Sequence, residues 1–509
     1  GMNRAPHWFF PVHSALVSGA RRFFRTGLGF SGPTNFVDLQ AQNGEFGFES
    51  YMITALEAAD GRALVIYTTG HRRFLAKTQV SNRVHREEFR NRKVAAEALF
   101  LESGFSTEGI AVPAEGLAMP VIHLVSAPDV LTGVTRAARH IAEENGARVP
   151  ESSPCYHCTW YLRGPEFSQR DLRRLVDGAA EKNMQFSAIQ IDDGYCPRWG
   201  DWLAPNSLWP DGMAAAAHRI RAAGMRAGIW VAPMTAEEDS TIWNEHPGWL
   251  LRDLDGAPIL KMKPNVYKAG RAQKGRYALD LSHPEVRQHI RHTCTTLREW
   301  GYTCFKTDFM DWGYVDSLTV LRHAGGKTSA MWFDEALRII REAIGPDSYW
   351  LACISYFEPF VGYCDAMRVS SDVHSRWGDV EPDRNDGVAG GIHNMFEESF
   401  HDQFLNNVLW ANDPDVIYLR ESHTELTWQE NRSLALWSAI LGGTITISDF
   451  PDTLTPRGLS LWRFIHPRNS KLTARLPFWG DTDRKLLVAV RDYPRYAGHA
   501  MLAVNPRAQ

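Results

Sequence analysis

The sequence predicts an α/β protein whose centre is a (β/α)8 TIM barrel, flanked by an N-terminal β-sandwich domain and a small C-terminal antiparallel β domain. After residue 154, short apolar runs alternate with helical patterns about eight times, and such alternation is typical of a parallel sheet. Several of these runs end in a carboxylate, as in barrel proteins whose site lies at one rim. Only Trp8 of the 18 tryptophans precedes residue 160, so the composition also changes near that point.

Residues 1–150 are predicted to form the sandwich, because short β-prone runs there alternate with turns containing Gly, Asn and Asp. The runs are 46–54, 63–69, 98–101 and 119–125. A helical pattern over 134–144 leads towards the next domain. The boundary is expected at 145–154, where Gly, Pro and Ser are concentrated and favour a loop.

Residues 151–466 are predicted to form the barrel, and residues 467–509 the C-terminal domain, where short β-like runs return. Ser168 and Asp171 have the spacing of an N-cap and its acidic partner, so a helix is expected to begin there. A second helix is expected from Ser282, Pro284 and Glu285, and it should stop at Gly301. The candidate barrel strands are 156–160, 188–191, 227–231, 304–307, 351–353, 367–369, a stretch near 404–410, and 444–448.

The composition excludes several classes of partner. A net charge of −4 gives no basis for binding nucleic acid or an anionic membrane, and no apolar run approaches the ~18 residues of a membrane-spanning helix. Seven cysteines at irregular spacing indicate reduced thiols in a cytoplasmic protein. The pair Cys155-x-x-Cys158 has no second pair at ligand spacing, so neither a metal site nor a redox role is predicted from it.

The run from Tyr302 to Met310 is the most informative stretch, because Lys306 and Asp308 lie two residues apart in it. Residues at i and i+2 on a strand share one face, so both side chains are expected at the end of one strand. A neighbouring cation favours the ionised carboxylate that a nucleophile requires. Asp372 ends a second apolar run and completes the carboxylate pair that hydrolysis of a glycosidic bond needs. A helix cap or a loop ion pair is the alternative for either acid.

Asp192 and Asp193 end a third apolar run, and adjacent residues on a strand point to different sides. The segment Trp199-Gly200-Asp201-Trp202 follows closely. Together these residues supply carboxylates for hydroxyl groups and ring faces for the C–H surfaces of a pyranose. An Asp-Asp-Gly turn is the alternative interpretation.

Three further residues and one segment have two interpretations each. Trp160 and Trp230, at or near predicted strand ends, either wall a sugar subsite or pack at a domain interface. Arg368, four residues before Asp372, either serves the site or forms a structural salt bridge. The segment Asn412-Asp413-Pro414-Asp415 is first a turn signal and second a support for the site.

Motifs in order along residues 154–450 resemble the α-galactosidases of glycoside hydrolase family 36, in clan D. They are Ile191-Asp192-Asp193-Gly194-Tyr195, Gly200-Asp201-Trp202-Leu203, Gly228-Ile229-Trp230-Val231-Ala232-Pro233, Asn244-Glu245-His246-Pro247, Tyr277-Ala278-Leu279-Asp280-Leu281-Ser282, Phe305-Lys306-Thr307-Asp308-Phe309, Asp365-Ala366-Met367-Arg368-Val369 with Asp372 and Trp377-Gly378, and Asn412-Asp413-Pro414-Asp415.

The resemblance implies a retaining exo-α-galactosidase that hydrolyses terminal α-linked galactose by double displacement, without metal or organic cofactor. It makes Asp308 the nucleophile and Asp372 the general acid/base, and Asp192 and Asp193 the acids that hold galactose hydroxyls. The other positions implied in the sugar pocket are Trp230, Lys306, Arg368, Trp160 and Cys353. A small carbohydrate is the expected partner, and assembly into several copies stays open.

Two segments depart from the family pattern. A Cys-Gly-Ser-Pro-like run is common after the fifth strand, and here it is Cys353-Ile354-Ser355-Tyr356. The acid/base lies in Ser370-Ser371-Asp372-Val373, where relatives often have Thr after the acid. The alternatives are therefore an α-galactosyl transglycosylase of the same clan, an α-N-acetylgalactosaminidase-like enzyme with the same carboxylates, and a catalytically weak sugar-binding homologue.

Overall fold

The computed structural model describes residues 9–29, 32, 34–82, 99–152, 154–266, 272–378, 391–465, 474–481, 486–493 and 498–506. Trp8, Ala98 and the predicted domain boundary at 466/467 lie outside these ranges.

Two antiparallel sheets form the N-terminal part of the chain. In hydrogen-bonded order, one contains Phe9–Val17, Leu99–Ser106, Leu75–Ser81 and Gly47–Ser50, and the other contains Asn35–Asp38, Ala20–Arg25, Ile53–Ala58, Ala63–Thr68 and Ile122–Ala127. Buried side chains from both sheets, among them Phe23, Leu56, Val80 and Leu101, pack into one apolar cluster. This is the sandwich that the alternating runs predicted.

A long helix, Val130–Asn145, joins the sandwich to the rest of the chain. Asp129 caps its first turn by accepting a hydrogen bond from Thr132 N at 2.8 Å. It ends at Gly146, whose φ of 62° is left-handed and suits a residue without a Cβ. The helix begins four residues earlier than the sequence pattern indicated, because the cap lies ahead of the predicted start at residue 134.

Parallel strands form the central sheet of the molecule, and its two end strands, Ala411–Asp413 and Val416–Ile417, are consecutive segments of the chain. We count them together as barrel strand 7. Thr444 N donates to Asn412 O at 2.8 Å, so the sheet curls round and its edges meet. The other strands, numbered 1 to 6 and 8, are Cys155–Cys158, Ala188–Ile191, Arg226–Val231, Tyr302–Thr307, Tyr349–Ala352, Ala366–Arg368 and Ile445–Ile447.

Helices follow the barrel strands, as expected for a parallel sheet. Ser168 and Asp171 form the predicted capping box, with each side chain bonded to the other's backbone N–H. The second predicted helix begins at Pro284 and ends at Glu299, two residues before Gly301. The helices after residue 154 are Trp160–Arg163, Gln169–Glu181, Gly212–Ala222, Thr241–Glu245, Pro284–Glu299, Ser329–Ile344, Phe357–Phe360, Ile392–His401, Trp428–Leu441 and Pro456–Ile465.

Short strands lie outside the barrel. Thr235–Glu237, Arg276–Ala278 and Leu260–Met262 form a small antiparallel sheet between barrel strands 3 and 4. Two-residue pairs are Arg252–Asp253 with Val320–Leu321, and Asn265–Val266 with Ala272–Gln273. Near the C-terminus, Leu487–Tyr493 pairs antiparallel with Gly498–Val504. The predicted fold class is confirmed, while the domain limits stay predictions.

The seventh barrel strand is the element that the sequence placed wrongly. Phe404 lies in a short 3₁₀ helix, Asp402–Leu405, and the strand begins only at Ala411. The apolar run is interrupted by Asn406 and Asn407, and Asn407 has a left-handed φ of 57°. The Asn406 amide donates to Gly442 O at 2.7 Å, so this pair turns the chain instead of extending it.

All seven cysteines lie in the described part of the chain, where all are buried and no disulfide joins them. Over the same residues, no group of three or more His, Cys, Asp and Glu side chains is placed to hold a metal ion. Helices that could cross a membrane, judged by length and apolar character, are absent from the described ranges.

Candidate active site

The nine predicted site residues gather at the carboxyl ends of the barrel strands. Trp230, Lys306 and Arg368 lie within strands, and Asp192, Asp308 and Cys353 follow strand ends directly. Asp193 comes one residue later, Trp160 two residues after strand 1, and Asp372 four residues after strand 6. This end of a (β/α)8 barrel is where its loops build active sites.

Asp308 is held by donors on both carboxylate oxygens. Trp230 Nε1 donates to Oδ2 at 3.0 Å, and the backbone N–H of Phe309 donates to Oδ1 at 2.8 Å. Phe309 has a left-handed φ of 51°, so the chain turns sharply just after the carboxylate. Asp308 is only 7% exposed, and its surroundings fix its direction.

Lys306 pairs with a carboxylate on another strand. Its Nζ lies 3.0 Å from Asp192 Oδ2, and Gln190 Nε2 donates to the same oxygen at 3.0 Å. Burial disfavours the ammonium, but the Asp192 carboxylate, with smaller contributions from Cys158, Cys353 and Asp308, raises the pKa of Lys306 well above its usual range. Burial also raises the pKa of Asp308, and the Lys306 charge acts against this rise. The cation therefore opposes protonation of Asp308, as expected, but does not outweigh the effect of burial.

Asp193 points to a different set of partners from Asp192, as adjacent strand residues do. Trp199 Nε1 lies 3.1 Å from both Asp193 oxygens. The Arg276 guanidinium lies 3.4 Å from the centre of the Trp199 ring and 4.0 Å from Asp193 Oδ2. Asp193 is thus held by an indole N–H and faces a cation stacked on that indole.

Arg368 connects Asp372 to the barrel. Its Nη2 lies 2.6 Å from Asp372 Oδ1, and Nη1 lies 3.7 Å from Cys353 Sγ. Arg368 is 1% exposed, whereas the Asp372 side chain is 39% exposed. Burial acts to raise the pKa of Asp372, but the charges of Arg368 and Lys306 and the hydrogen bonds from Arg368 and Tyr161 together outweigh it, so the pKa is lowered. Asp372 is therefore the more open member of the predicted pair.

Indole rings form one wall of the site. Trp230 lies 5.1 Å from Trp199 and 5.7 Å from Trp202, measured between ring centres, and all three side chains are buried. Trp160 does not end a strand, because it opens the short helix Trp160–Arg163 and is half-buried against the main apolar core. Its predicted contact with a sugar stays a prediction.

Sequence reasoning missed three charged residues near the carboxylates. Arg276 and Glu237 lie on the short sheet after strand 3, with Arg276 Nε 3.5 Å from Glu237 Oε2. Asp311 lies in the turn after strand 4, where burial, with a contribution from Asp308, raises its pKa to about 7. The sequence signal for Asp311 was an acid three residues after Asp308. Arg276 gave no such signal, because it lies in an insertion between barrel strands 3 and 4 that is not part of the strand–helix repeat.

A cavity of about 810 Å³ lies at the opposite, amino-terminal end of the barrel strands. Its lining includes Ser187, Arg226, Thr303 and Tyr349, and none of the nine predicted site residues. We place the candidate site at the carboxyl end, because that is where the carboxylates and donors converge.

Comparisons with known proteins identify the families that this chain resembles. The melibiase family matches residues 135–324. An α-galactosidase of Escherichia coli is 25% identical over 247 residues, which cover 46% of this chain and 31% of that protein. An A type blood α-D-galactosamine galactosaminidase of Flavonifractor plautii is 26% identical over 32% of this chain and 16% of its own length. The chain thus aligns with a third or less of each of these two relatives.

Solved structures share the fold over almost the whole chain. The α-galactosidase TtGalA of Thermus thermophilus, solved with p-nitrophenyl α-D-galactopyranoside, has a TM-score of 0.69 and 24% identity over 91% of this chain and 89% of its own. The family 36 α-galactosidase AgaA of Geobacillus stearothermophilus has a TM-score of 0.64 and 13% identity over 94% of this chain and 67% of its own. Residues 135–324 thus match the melibiase family, and the resemblance to family 36 α-galactosidases that the motifs indicated is confirmed.

Proposed function

We propose that the chain is a retaining exo-α-galactosidase that removes terminal α-linked galactose from oligosaccharides or glycosides. The observation that carries the proposal is a pair of carboxylates in contrasting settings. Asp308 is buried and each of its oxygens accepts a hydrogen bond, whereas Asp372 is partly exposed and paired with Arg368. Double displacement needs one fixed nucleophile and one group that exchanges protons with the leaving oxygen and with water.

In the first step, Asp308 attacks the anomeric carbon while Asp372 protonates the departing glycosidic oxygen. The C–O bond breaks as an ester between galactose and Asp308 forms. In the second step, Asp372 takes a proton from water, and the water oxygen displaces Asp308 to release α-galactose. Trp230 Nε1 and Phe309 N keep the nucleophile aimed during both steps.

The remaining predicted residues bind the sugar or hold the residues that do. Asp192 and Asp193 accept hydrogen bonds from its hydroxyls, and each is already held in place, by Lys306 and by Trp199 respectively. Arg368 orients Asp372. The other residues proposed to line the pocket are Trp230, Trp160 and Cys353.

A second candidate, an α-N-acetylgalactosaminidase-like enzyme, arises because the loop after strand 5 departs from the α-galactosidase pattern. Ile354 and Tyr356 stand where small residues are common, and Asp311 N donates to Ile354 O at 3.1 Å, so the changed loop adjoins the turn after the nucleophile. Kinetics with paired 4-nitrophenyl α-galactoside and α-N-acetylgalactosaminide would separate the two candidates. Transglycosylation would appear as new oligosaccharides in the presence of excess acceptor sugar.

The proposal is tested by following the anomeric proton of the sugar released from 4-nitrophenyl α-galactoside by NMR. Early α-galactose is expected. Early β-galactose would mean inversion and would exclude Asp308 as nucleophile, while the absence of any release would contradict the proposed substrate.

We expect Asp308→Ala to lose at least about 10⁴-fold in kcat, because the covalent step then has no nucleophile. Sugar binding, measured by calorimetry, should persist, since the hydroxyl-binding acids remain. Near-normal turnover in this variant would disprove the assignment. Cytoplasmic location and the number of copies in an assembly stay predictions.

A further inference from the structure

The loop that carries Asp372 is fastened to barrel strand 7. Val369 N donates to Asp413 O at 2.9 Å, and Ser370 Oγ donates to Pro414 O at 2.6 Å. Both bonds are made just before Asp372 in the chain. The position of the acid/base is therefore set by the strand on its far side as well as by its own strand.

The side chain of Asp415 also bonds this loop, at the residue next to Asp372. Its Oδ2 accepts hydrogen bonds from Val373 N at 2.9 Å and from Tyr161 OH at 2.5 Å, and it also accepts one from Arg368 Nη2. Val373 directly follows Asp372, so Asp415 fixes the backbone beside the acid/base. Asp415 is buried and has a positive φ of 79°, a conformation that is uncommon among non-glycine residues.

One nitrogen of Arg368 thus serves two carboxylates. Nη2 bonds Asp372 Oδ1 and Asp415 Oδ2. Nε of Arg368 is buried and has no hydrogen-bond partner among the described residues. A guanidinium carries a single positive charge, so each carboxylate alters the attraction that the other one receives.

We propose that Asp415 is a positioning residue that sets the proton affinity of Asp372 by sharing Arg368 with it. This inference rests on the proposed function, in which Asp372 must carry a proton when the glycosidic bond breaks. Alone with Arg368, Asp372 would release its proton too readily. The negative charge of Asp415 offsets part of the arginine charge and helps Asp372 to keep the proton until the leaving oxygen takes it.

The charges around Asp415 are consistent with this role. Burial, Asp372 and Asp413 raise the pKa of Asp415, whereas the charge of Arg368 acts against this rise and favours the ionised form. The titratable and charged groups that face Asp415 come from strands 1, 6 and 7 and from the segments that follow them: Cys158, Tyr161, Arg368, Asp372, Asp413 and Tyr418. Among these six, Arg368 alone is a cation, and Lys306 is a second cation whose charge lowers the pKa of Asp372. Removing the charge of Asp415 leaves Arg368 more fully to Asp372 and does not alter Lys306.

The test uses Asp415→Asn in the full chain and the pH profile of kcat/KM on melibiose, whose poor leaving group requires the acid. Asparagine keeps the shape and an oxygen that can accept from Val373 N and Tyr161 OH, but lacks the charge. The basic limb of the kcat/KM profile should move to lower pH by about one unit, so kcat/KM on the basic side should fall about tenfold. A folded variant with the wild-type basic limb would overturn the proposal.

Asp415→Glu is the conservative partner, because it keeps the charge but shifts the carboxylate by one methylene. We expect its basic limb to stay within about 0.3 units of wild type while kcat falls about fivefold or more. If Asp415→Asn does not fold, Asp415→Glu becomes the test of the proposal. A kcat equal to that of the wild type would then contradict a positioning role. Asp365→Asn is the matched control, since Asp365 is also buried and bound by arginines but at the other end of the strands. It should lower stability without moving the profile.

Failure of this inference differs from failure of the proposed function. If the wild-type chain releases no galactose from melibiose or 4-nitrophenyl α-galactoside, the function itself is wrong. If the wild type is active and the Asp415→Asn profile matches it, only the role of Asp415 is wrong.

Discussion

At the scale of single residues, the site sets protonation through hydrogen bonds to particular carboxylate oxygens. Trp230 Nε1 donates to Asp308 Oδ2 at 3.0 Å, whereas Nε1 of the neighbouring Trp202 is buried without a partner among the described residues. A hydrogen bond to the charged form favours that form. The two indoles therefore offer a matched comparison within one aromatic wall.

We expect Trp230→Phe to move the acid limb of kcat/KM to higher pH by about one unit, because a hydrogen bond to a charged group contributes about 1.5–3 kcal/mol. Burial already raises the pKa of Asp308, and loss of the donor raises it further, so a higher pH is needed to ionise the nucleophile. Trp202→Phe is the control and should leave the limb in place. The same shift in both variants would show that the donor is not the cause.

Ile354 is a strained residue in the loop after strand 5. Its φ is 39°, and a β-branched residue in left-handed backbone is an outlier. Glycine is common at the corresponding position of the family run, and glycine adopts this backbone without a steric penalty. The chain thus has a backbone suited to glycine but a large side chain at the residue that directly follows Cys353.

This strain predicts an unusual order of stability. Both Ile354→Gly and Ile354→Ala lose the side chain, but only glycine relieves the backbone strain. We therefore expect Ile354→Gly to unfold at the higher temperature and to have a free energy of unfolding about 1 kcal/mol larger than that of Ile354→Ala. Thermal unfolding of both variants would measure the difference. Ile354→Gly should also raise kcat/KM for the α-N-acetylgalactosaminide relative to the α-galactoside. Equal or reversed stabilities would show that the loop relaxes around alanine.

At the scale of elements, the N-terminal sandwich supports the loop after strand 5. Phe357 N donates to Leu28 O at 2.7 Å. A Cβ placed on Gly29 would come within 2.0 Å of Ser355 O, so the two backbones touch. This contact joins the sandwich to the loop in which the chain departs from the family pattern.

Gly29→Ala should therefore reduce kcat/KM by about tenfold or more, because the added methyl group must push the 353–356 loop or the 28–29 segment away. Steady-state kinetics and a thermal unfolding curve would show both effects. Gly61→Ala is a control in the same sandwich, with nothing within 4 Å of its added Cβ but with a positive φ of 85°. It should cost some stability and no activity, and equal losses of activity in both variants would argue against a specific contact.

The sequence predicted most elements because each barrel strand is a compact apolar run between helices. Seven of the eight runs overlap the observed strands, such as Ala188–Ile191, which agrees at both ends. The prediction of barrel strand 7 was wrong because Pro414, which has no N–H, divides the observed strand into segments of three and two residues. A strand this short has no periodicity to detect.

The site was predictable in position but not in its pairings. Parallel strands bring their carboxyl ends together, so acids at strand ends identify the rim. Which groups meet across the rim depends on the curvature of the barrel. The pairs Lys306 with Asp192 and Arg368 with Asp415 join residues 114 and 47 positions apart, and no local pattern encodes them.

At the scale of the whole molecule, the sandwich and the barrel meet around buried acids. Glu358 lies on the short helix after strand 5 and is 4% exposed. The Ala76 backbone of the sandwich gives it a hydrogen bond, and its Oε1 has no partner among the described residues. Burial raises its pKa to about 8, so the carboxyl is protonated in the folded chain at neutral pH.

This group makes the stability of the folded protein depend on pH. Its pKa is higher in the folded state than in the unfolded state, so its contribution is fully present below about pH 4.5 and is lost as pH rises to about 8. One such group changes the free energy of unfolding by about 1.4 kcal/mol per pH unit across that window.

Glu358→Gln replaces the acid by a neutral amide of the same shape. The unfolding midpoint of this variant should therefore fall less steeply between pH 5 and 8 than that of the wild type, whereas the exposed Glu181→Gln should follow the wild type. Parallel slopes in all three proteins would mean that Glu358 is ionised in the folded state and that the contact between sandwich and barrel accommodates its charge.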